Sequence, residues 1–405
     1  MKKAVMYGGG NIGRGFIGAL FSQSGYAVTF IDVAEPVVNA LTQKQSYPIR
    51  YVSSEGYEDV LVEHVTAVNG NDGEAAAEAI ANCDIMATAV GARILKFIVG
   101  NIVAGLRKRW ERTDAPLNII ICENLMDANL VLEKMIKDQL TPEEILRFDD
   151  TVGLVEASIG RMVPVQTEQM KDGEPMRVCV ERYGFLPVDR AAFKGEIPEI
   201  KNMVPFAPFD FYIKRKLYVH NMGHATCAYL GDLLGLEYIY QAVDVPEIRV
   251  LVQNAMLESA MALAGKYEVA LESIVPHITD LLYRFTNQAL QDTCARVGGD
   301  PGRKLSPHDR LIGAANLALE QGIIPAYMCV GAAAGVYRYI QEAEHLTQGE
   351  DAAKQVLCQV SMLQEDAVLF GMIMQMYQRI LAGATVKDLL CAADDVKNQN
   401  AGSVV

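Results

Sequence analysis

This 405-residue chain contains no CxxC pair, no HExxH stretch and no tight cluster among its six histidines. The usual zinc signatures are therefore missing, and metal-free chemistry is expected, with only ligands distant in sequence left open. Its eight cysteines (83, 122, 179, 227, 294, 329, 358 and 391) come without close pairs. Most sit in apolar segments such as IIICEN and AYMCVG, which points to buried thiols rather than a disulfide framework. No apolar run is long enough to span a bilayer, so no membrane partner is expected. Positive charge is also scarce: 36 Lys and Arg face 50 Asp and Glu, a net charge of -14. That argues against nucleic acid as a partner, because phosphate backbones need a basic surface. A few local arginines could still hold a small anion. The opening MKKAVMYGGG has two lysines and a short apolar stretch, but glycines interrupt before a signal-peptide core develops. A first β-strand and a cytoplasmic protein are the expectation. Nothing in the sequence indicates an oligomeric state.

What is present has the usage of a soluble globular protein, with half the residues apolar and about a fifth charged. The length suits two domains, each able to bury its own core. In the first third, the apolar runs KAVMYG, AVTFID, DIMATAV and LNIIICEN alternate with helical stretches, the rhythm of a doubly wound parallel sheet. TVGLVEASIG and MRVCVERYG read as further strands, followed by the proline- and phenylalanine-rich MVPFAPFDF. Beyond it the pattern turns to helical periodicity. The fold class expected is an α/β N-terminal Rossmann-type domain over 1–200, a mostly α-helical domain over 201–385, and a frayed tail over 386–405. ARVGGDPGRKLSPHDRL interrupts the helices as an ordered loop, with a helix start expected at Ser306.

Gly8, Gly10 and Gly13 form GxGxxG directly after the strand KAVMY, with Asn11 and Ile12 opening a helix between them. The first glycine permits a tight turn, the second lets backbone approach a pyrophosphate, and the third lets helix and strand pack closely. Asp32 ends the second strand, where a carboxylate accepts hydrogen bonds from adenosine ribose hydroxyls and repels a 2'-phosphate. NAD is therefore the expected cofactor. Ala89, Val90 and Gly91 end the fourth strand and should line the same crevice. Glu123 and Asn124 follow the fifth, either close to a nicotinamide or as an ordinary polar strand cap.

A second constellation is KRKLYVHNMGHATCAYLG. If it is α-helical, Lys216 lies at 0°, His220 at ~40°, His224 at ~80° and Asn221 at ~140° on the helical wheel, one wide face. A solvated polar face would look similar. Gly223, at about 1 kcal/mol in a helix interior, and the small residues Ala225, Thr226 and Cys227 favour close packing instead. A lysine in a dry pocket beside other cations, with Lys214 and Arg215 as candidates, loses proton affinity and suits a general base near neutral pH. Asn221 could donate to an alkoxide, with Asn124 as a second donor.

These segments, GGGNIGRGFIG, LNIIICEN, Lys216-x4-Asn221-x2-His224 and RKLSPHDRL, fall in one order over residues 1 to about 385. Together they resemble the polyol-specific long-chain dehydrogenase/reductase family, most closely the mannitol-1-phosphate 5-dehydrogenases. The resemblance implies NAD-linked, metal-free interconversion of D-mannitol 1-phosphate and D-fructose 6-phosphate. It also implies Lys216 as general base, Asn221 and Asn124 as oxyanion donors and His224 as a substrate contact. Arg284, Arg296, Arg303, Lys304 and Arg310 become candidates for a sugar phosphate, some of them structural ion pairs. The chain departs from the family in two places: Gly160 stands where relatives carry an aspartate before the arginine of a DR-x-VP stretch, and Ile213 and Lys214 where a glutamate is common. These departures keep two other readings open, namely a hexuronate or unphosphorylated-polyol dehydrogenase and an inactive NADH-binding protein.

Overall fold

The computed structural model describes residues 1–125, 127–164 and 166–401. It divides into two compact units, Met1–Asp210 and Phe211–Val405. The division falls later than residue 200 because the strand Met203–Phe206 pairs in parallel with Leu186–Asp189 and so belongs to the first unit.

The first unit is built on six parallel strands. Their spatial order is Val65–Asn69, Tyr26–Asp32, Lys2–Tyr7, Ile85–Thr88, Leu117–Ile121 and Val152–Glu156. Parallel sheets are covered on both faces, so their strands carry apolar residues at nearly every position. Ala4 and Met6 enter one buried cluster while Val5 and Tyr7 enter the other, the period of two that a strand requires. Glycine again sets the helix packing: a Cβ at Gly105 in Leu95–Trp110 would lie 2.6 Å from Ile80 of Gly73–Ala81. The chain runs outward in one direction from Lys2–Tyr7 and restarts on its other side at Ile85–Thr88. That reversal makes a switch point at the strands' carboxyl ends, where such sheets bind ligands.

An antiparallel hairpin, Ser46–Ser53 with Gly56–Glu63, is not apparent from the sequence pattern. It pairs with Val178–Val180, within the MRVCVERYG segment, as a separate three-stranded sheet. Gly56 at φ 141 supplies the turn conformation that a side chain would resist.

Every regular element of the second unit is a helix among the described residues. Its central helix, Met222–Leu233, is buried on nearly every side, as an apolar all-round helix must be. Close packing explains Gly223, where a Cβ would lie 2.1 Å from Met256 of the helix Pro246–Tyr267. Gly331 of Ala326–Glu342 plays the same part against Thr226.

Two sequence expectations are corrected here. The tail is not frayed over 386–401: Val386–Ala401 is a helix with Leu389 and Ala393 fully buried. Its Lys397 pairs with buried Glu258 at 2.9 Å, and Asp394 accepts from Tyr327 Oη at 2.5 Å. Short-range composition hides this, because the amphipathic stripe VKDLLCAADDVK is stabilised by partners far away in sequence. Residues 402–405 lie outside the described residues. The helix expected at Ser306 begins instead at Ile312, after a short helix Pro301–Lys304 and a series of turns. Ser306 accepts a backbone bond from Asp309 within those turns rather than capping a helix.

Candidate active site

In the first unit the nucleotide motif has a steric reason at its first and third glycines. Gly8 has φ 103, and a Cβ there would sit 2.5 Å from the Ala89 carbonyl oxygen. A Cβ on Gly13 would sit 1.9 Å from the Gly8 carbonyl oxygen. Gly10 is different, because nothing lies within 4 Å of where its Cβ would be. Its glycine identity is not demanded by the protein's own packing, which leaves backbone access for a ligand as the physical reason. Helical geometry starts at Asn11 and Ile12 and passes into a π-turn over Gly13–Ile17. The free N–H groups at such a helix start favour a pyrophosphate.

The loop is held from below by Arg14, which the sequence did not flag. Its Nε donates to Gly9 O at 2.6 Å and its Nη1 to Met176 O at 2.7 Å. Asp32 accepts from Gly9 N at 2.6 Å and from Ala34 N at 2.8 Å, one bond per oxygen. Each carboxylate oxygen has a further lone pair for a ribose hydroxyl. Glu123 is buried and accepts from Val90 N at 3.0 Å and Gly91 N at 2.7 Å. It therefore acts as the polar strand cap, holding the Ala89–Gly91 turn in place. Asn124 is exposed at the same edge of the sheet, and its amide has no partner among the described residues. Glu156, at the end of the sixth strand, was not singled out by sequence. Burial and the carboxylates of Asp127, Asp189 and Asp210 push its pKa up to about 7.

Gly160 leaves no open gap: a Cβ there would meet the Tyr183 ring edge at 3.1 Å. The neighbouring Arg161 is buried, donates to Gly15 O at 2.7 Å and to Tyr183 O, and lies over the Phe16 ring at 4.4 Å. It buttresses the helix that follows the glycine loop.

In the second unit, the lysine segment is not a regular α-helix. Asp210–Lys214 is α-helical, Arg215–Asn221 is a π-helix, and Met222–Leu233 resumes the α form. The regular-wheel angles expected from sequence are thus replaced by a wider turn, of the kind that often marks a functional site. Lys216 is half-buried and makes no ion pair among the described residues. Burial and the Arg310 guanidinium push its pKa down to about 8. Arg310, rather than Lys214 or Arg215, is therefore the cation that weakens its hold on the proton. Lys304 is 4% exposed, and burial together with Arg310 and Arg303 also takes it down to about 8.

Within electrostatic reach of this lysine is His220, one of three neighbouring imidazoles. The His220 ring lies 6.0 Å from His224 and 6.5 Å from His277. Burial, Arg284, the other two histidines and Lys216 hold His220 well below the ordinary range. His277 is lowered by burial, Arg215 and Arg284. His224 stacks on Phe285 with centroids 4.6 Å apart, and its Nε2 is 3.3 Å from Asp292. The Asn221 amide has no partner among the described residues, as an oxyanion donor would need in the absence of substrate. Of the other predicted basic residues, Arg284 is buried and pairs with Asp280 at 3.4 Å. Arg303 is committed to Asp300 at 2.7 Å and Asp309 at 3.1 Å. Arg296 is bound to Asp292. The structure thus links Lys216, His220, His224, Arg284, Lys304 and Arg310 into one region through neighbouring charges, with Arg310 itself paired with Asp309 at 2.7 Å, and ties Arg303 into its own loop. His277, Phe285 and Asp292 belong to that region but carry no motif at sequence level.

Six of the eight cysteines are buried free thiols, while Cys358 is half-buried and Cys391 exposed. Among the described residues no group of three or more His, Cys, Asp or Glu side chains could hold a metal ion, and no helix is long and apolar enough to cross a membrane.

The family model described as the mannitol dehydrogenase Rossmann domain matches residues 2–202, and the mannitol dehydrogenase C-terminal domain matches 209–384. A mannitol-1-phosphate 5-dehydrogenase from Brevibacillus brevis is 36% identical over 342 residues, covering 84% of this chain and 87% of the relative. One of the same name from Bacillus licheniformis is 34% identical over 376 residues, covering 91% and 98%. Among solved structures, a substrate-free D-sorbitol dehydrogenase superposes with a TM-score of 0.78 at 14% identity, over 96% of this chain and 94% of that one. The Pseudomonas fluorescens mannitol 2-dehydrogenase ternary complex with NAD and D-mannitol gives 0.71 at 14% identity, over 96% and 93%. At such identity these two structures speak for the fold.

Proposed function

The chain belongs to the mannitol dehydrogenase family, and from that premise we propose that it is an NAD-dependent oxidoreductase interconverting a sugar-alcohol phosphate and a ketose phosphate. D-mannitol 1-phosphate and D-fructose 6-phosphate are the best-fitting pair. The observation that carries the chemistry is Lys216: a half-buried ammonium, unpaired among the described residues and lowered to about 8, is poised to exchange a proton near neutral pH. The substrate assignment is supported by the names of the relatives and by the cations near Lys216: Lys304, which is buried, and Arg310, which an anionic ester would have to share with Asp309, its partner at 2.7 Å.

Neutral Lys216 takes the hydroxyl proton of the polyol, and the Asn221 amide donates to the oxygen as it acquires negative charge. Asn124, in the first unit, is proposed as an oxyanion donor on its motif, its amide having no partner among the described residues. His224 contacts a substrate hydroxyl. The bound nicotinamide supplies the hydride acceptor, chemistry that side chains do not provide. The glycine loop would hold its pyrophosphate and Asp32 its adenosine ribose, and the open space over Gly10 fits that assignment. In the reverse direction Lys216 must start protonated and return the proton to the alkoxide.

The experiment is NADH oxidation followed with D-fructose 6-phosphate, D-fructose and tagaturonate side by side, repeated with NADPH. Fastest turnover of the phosphate with NADH is expected. Faster turnover of tagaturonate or fructose would transfer the assignment to a hexuronate or free-polyol dehydrogenase. Tight NADH binding with no turnover of any would make the protein a sensor rather than an enzyme.

A further inference from the structure

Asp292 is a buried carboxylate in the segment between the one-turn helix Gln288–Leu290 and the helix Cys294–Gly298. Its backbone is fixed from both sides. Asp292 O accepts from Ile239 N at 2.9 Å, Cys294 N donates to Glu237 O at 2.8 Å, and Tyr238 and Thr293 form an isolated antiparallel bridge. The Thr293 hydroxyl oxygen then caps the next helix by accepting from Arg296 N at 3.1 Å. With so little backbone freedom, the direction of the Asp292 side chain is set before substrate arrives.

The two carboxylate oxygens serve two different groups. Oδ1 accepts from Arg296 Nε at 2.7 Å and also from the same guanidinium's Nη2. Oδ2 is 3.3 Å from His224 Nε2. Phe285 supports the imidazole face with rings inclined by 17°. His224 is therefore held on its face by Phe285 and at its edge by Asp292. Nε2 is buried and makes no full hydrogen bond in the free protein, Oδ2 being its neighbour at 3.3 Å. Such bonds are commonly long or bent in free active sites and tighten when substrate is present.

A neutral imidazole has one donor and one acceptor nitrogen, and the partner of one decides the role of the other. We propose that Asp292 is the positioning residue for His224, keeping its proton on Nε2 so that Nδ1 offers a lone pair to a substrate hydroxyl. This rests on the substrate-contact role given to His224 above. Arg296 contributes by occupying Oδ1, which leaves Oδ2 to face the histidine. A carboxylate can only accept from a neutral imidazole, so it selects the Nε2–H form. An asparagine would behave oppositely: Arg296 would claim its carbonyl oxygen, its NH2 would turn toward Nε2, and the proton would move to Nδ1. Asparagine at the aspartate of the Ser-His-Asp triad has the same consequence.

The test is the nitrogen-15 spectrum of histidine-labelled protein without ligands, with His224→Ala used to assign the His224 signals. Wild-type His224 is expected in the Nε2–H form at neutral pH, and Asp292→Asn in the Nδ1–H form. In steady-state assays Asp292→Asn should raise KM for the sugar substrate roughly tenfold, the loss of one hydrogen bond. NADH affinity should be unchanged. A wild-type His224 protonated on Nδ1, or a tautomer indifferent to the Asn substitution, overturns the proposal whatever the kinetics show. An inverted tautomer with unaltered KM upholds the positioning by Asp292 and instead removes His224 from substrate contact. The wild-type spectrum decides even if the variant fails to fold.

Discussion

Replacing Lys216 with alanine should reduce kcat by roughly 10³- to 10⁴-fold, the upper part of the span attributed to a positioned general base. NADH affinity should change by less than about twofold, because Lys216 lies in the helical unit and the groups that fit the nucleotide lie in the first. Stability should not suffer. The ammonium is disfavoured by burial and by Arg310, and no carboxylate among the described residues is left unpaired by its removal. Steady-state kinetics, NADH titration by fluorescence and a melting curve on one preparation check the three statements together. A variant retaining a tenth of wild-type activity would take Lys216 out of the role of base, since proton transfer would then have another route.

Gly10→Ala should weaken NADH binding by about 10- to 100-fold while leaving the melting temperature unchanged. The expected cost follows from pushing a methyl group into a tight contact, typically 1–3 kcal/mol. The selectivity follows from geometry. In the free protein nothing lies within 4 Å of the added Cβ, and Gly10 is not in the left-handed region, so alanine has no reason to strain the fold. The methyl group would meet only what comes to the loop from outside. Gly13→Ala is the contrasting control: its Cβ would strike the Gly8 carbonyl oxygen at 1.9 Å, so it should lower stability and binding alike. Equal NADH affinity in wild type and Gly10→Ala would place the pyrophosphate elsewhere.

How much of this was legible beforehand depends on range. The parallel strands, the glycine turn and Asp32 were legible because each rests on local pattern: continuous apolar runs, a turn that needs glycine, and an acid at a strand end. The packing reason for Gly223 was legible in the same way, from its cost in a helix and its small neighbours. The π-turn at Arg215–Asn221 was not, because its hydrogen-bond register is decided by tertiary packing and residue composition barely distinguishes it from an α-helix. The source of the Lys216 shift was also hidden. Lys214 and Arg215 are its sequence neighbours, yet the cation that acts is Arg310, supplied from the turns before Ile312. Asp292 and Phe285 gave no signal, since an acid before a threonine and a phenylalanine at a helix end have many structural uses. The helix Val386–Ala401 reads as a tail in sequence because its partners, Glu258 and Tyr327, lie far earlier in the chain.

The account stands on Lys216 as the group that takes the substrate proton, and its pH dependence tests this most directly. In the oxidation direction kcat/KM should rise with pH through an apparent pKa of about 8, because the neutral amine is the active form. In the reduction direction it should fall through the same value, because the ammonium must deliver the proton. Lys304 titrates in the same range, so Lys304→Met serves as the control and should keep the break even with a raised KM. Lys216→Ala should lose it, with residual activity climbing without an inflection near 8. A break near 8 that survives in Lys216→Ala would contradict the account.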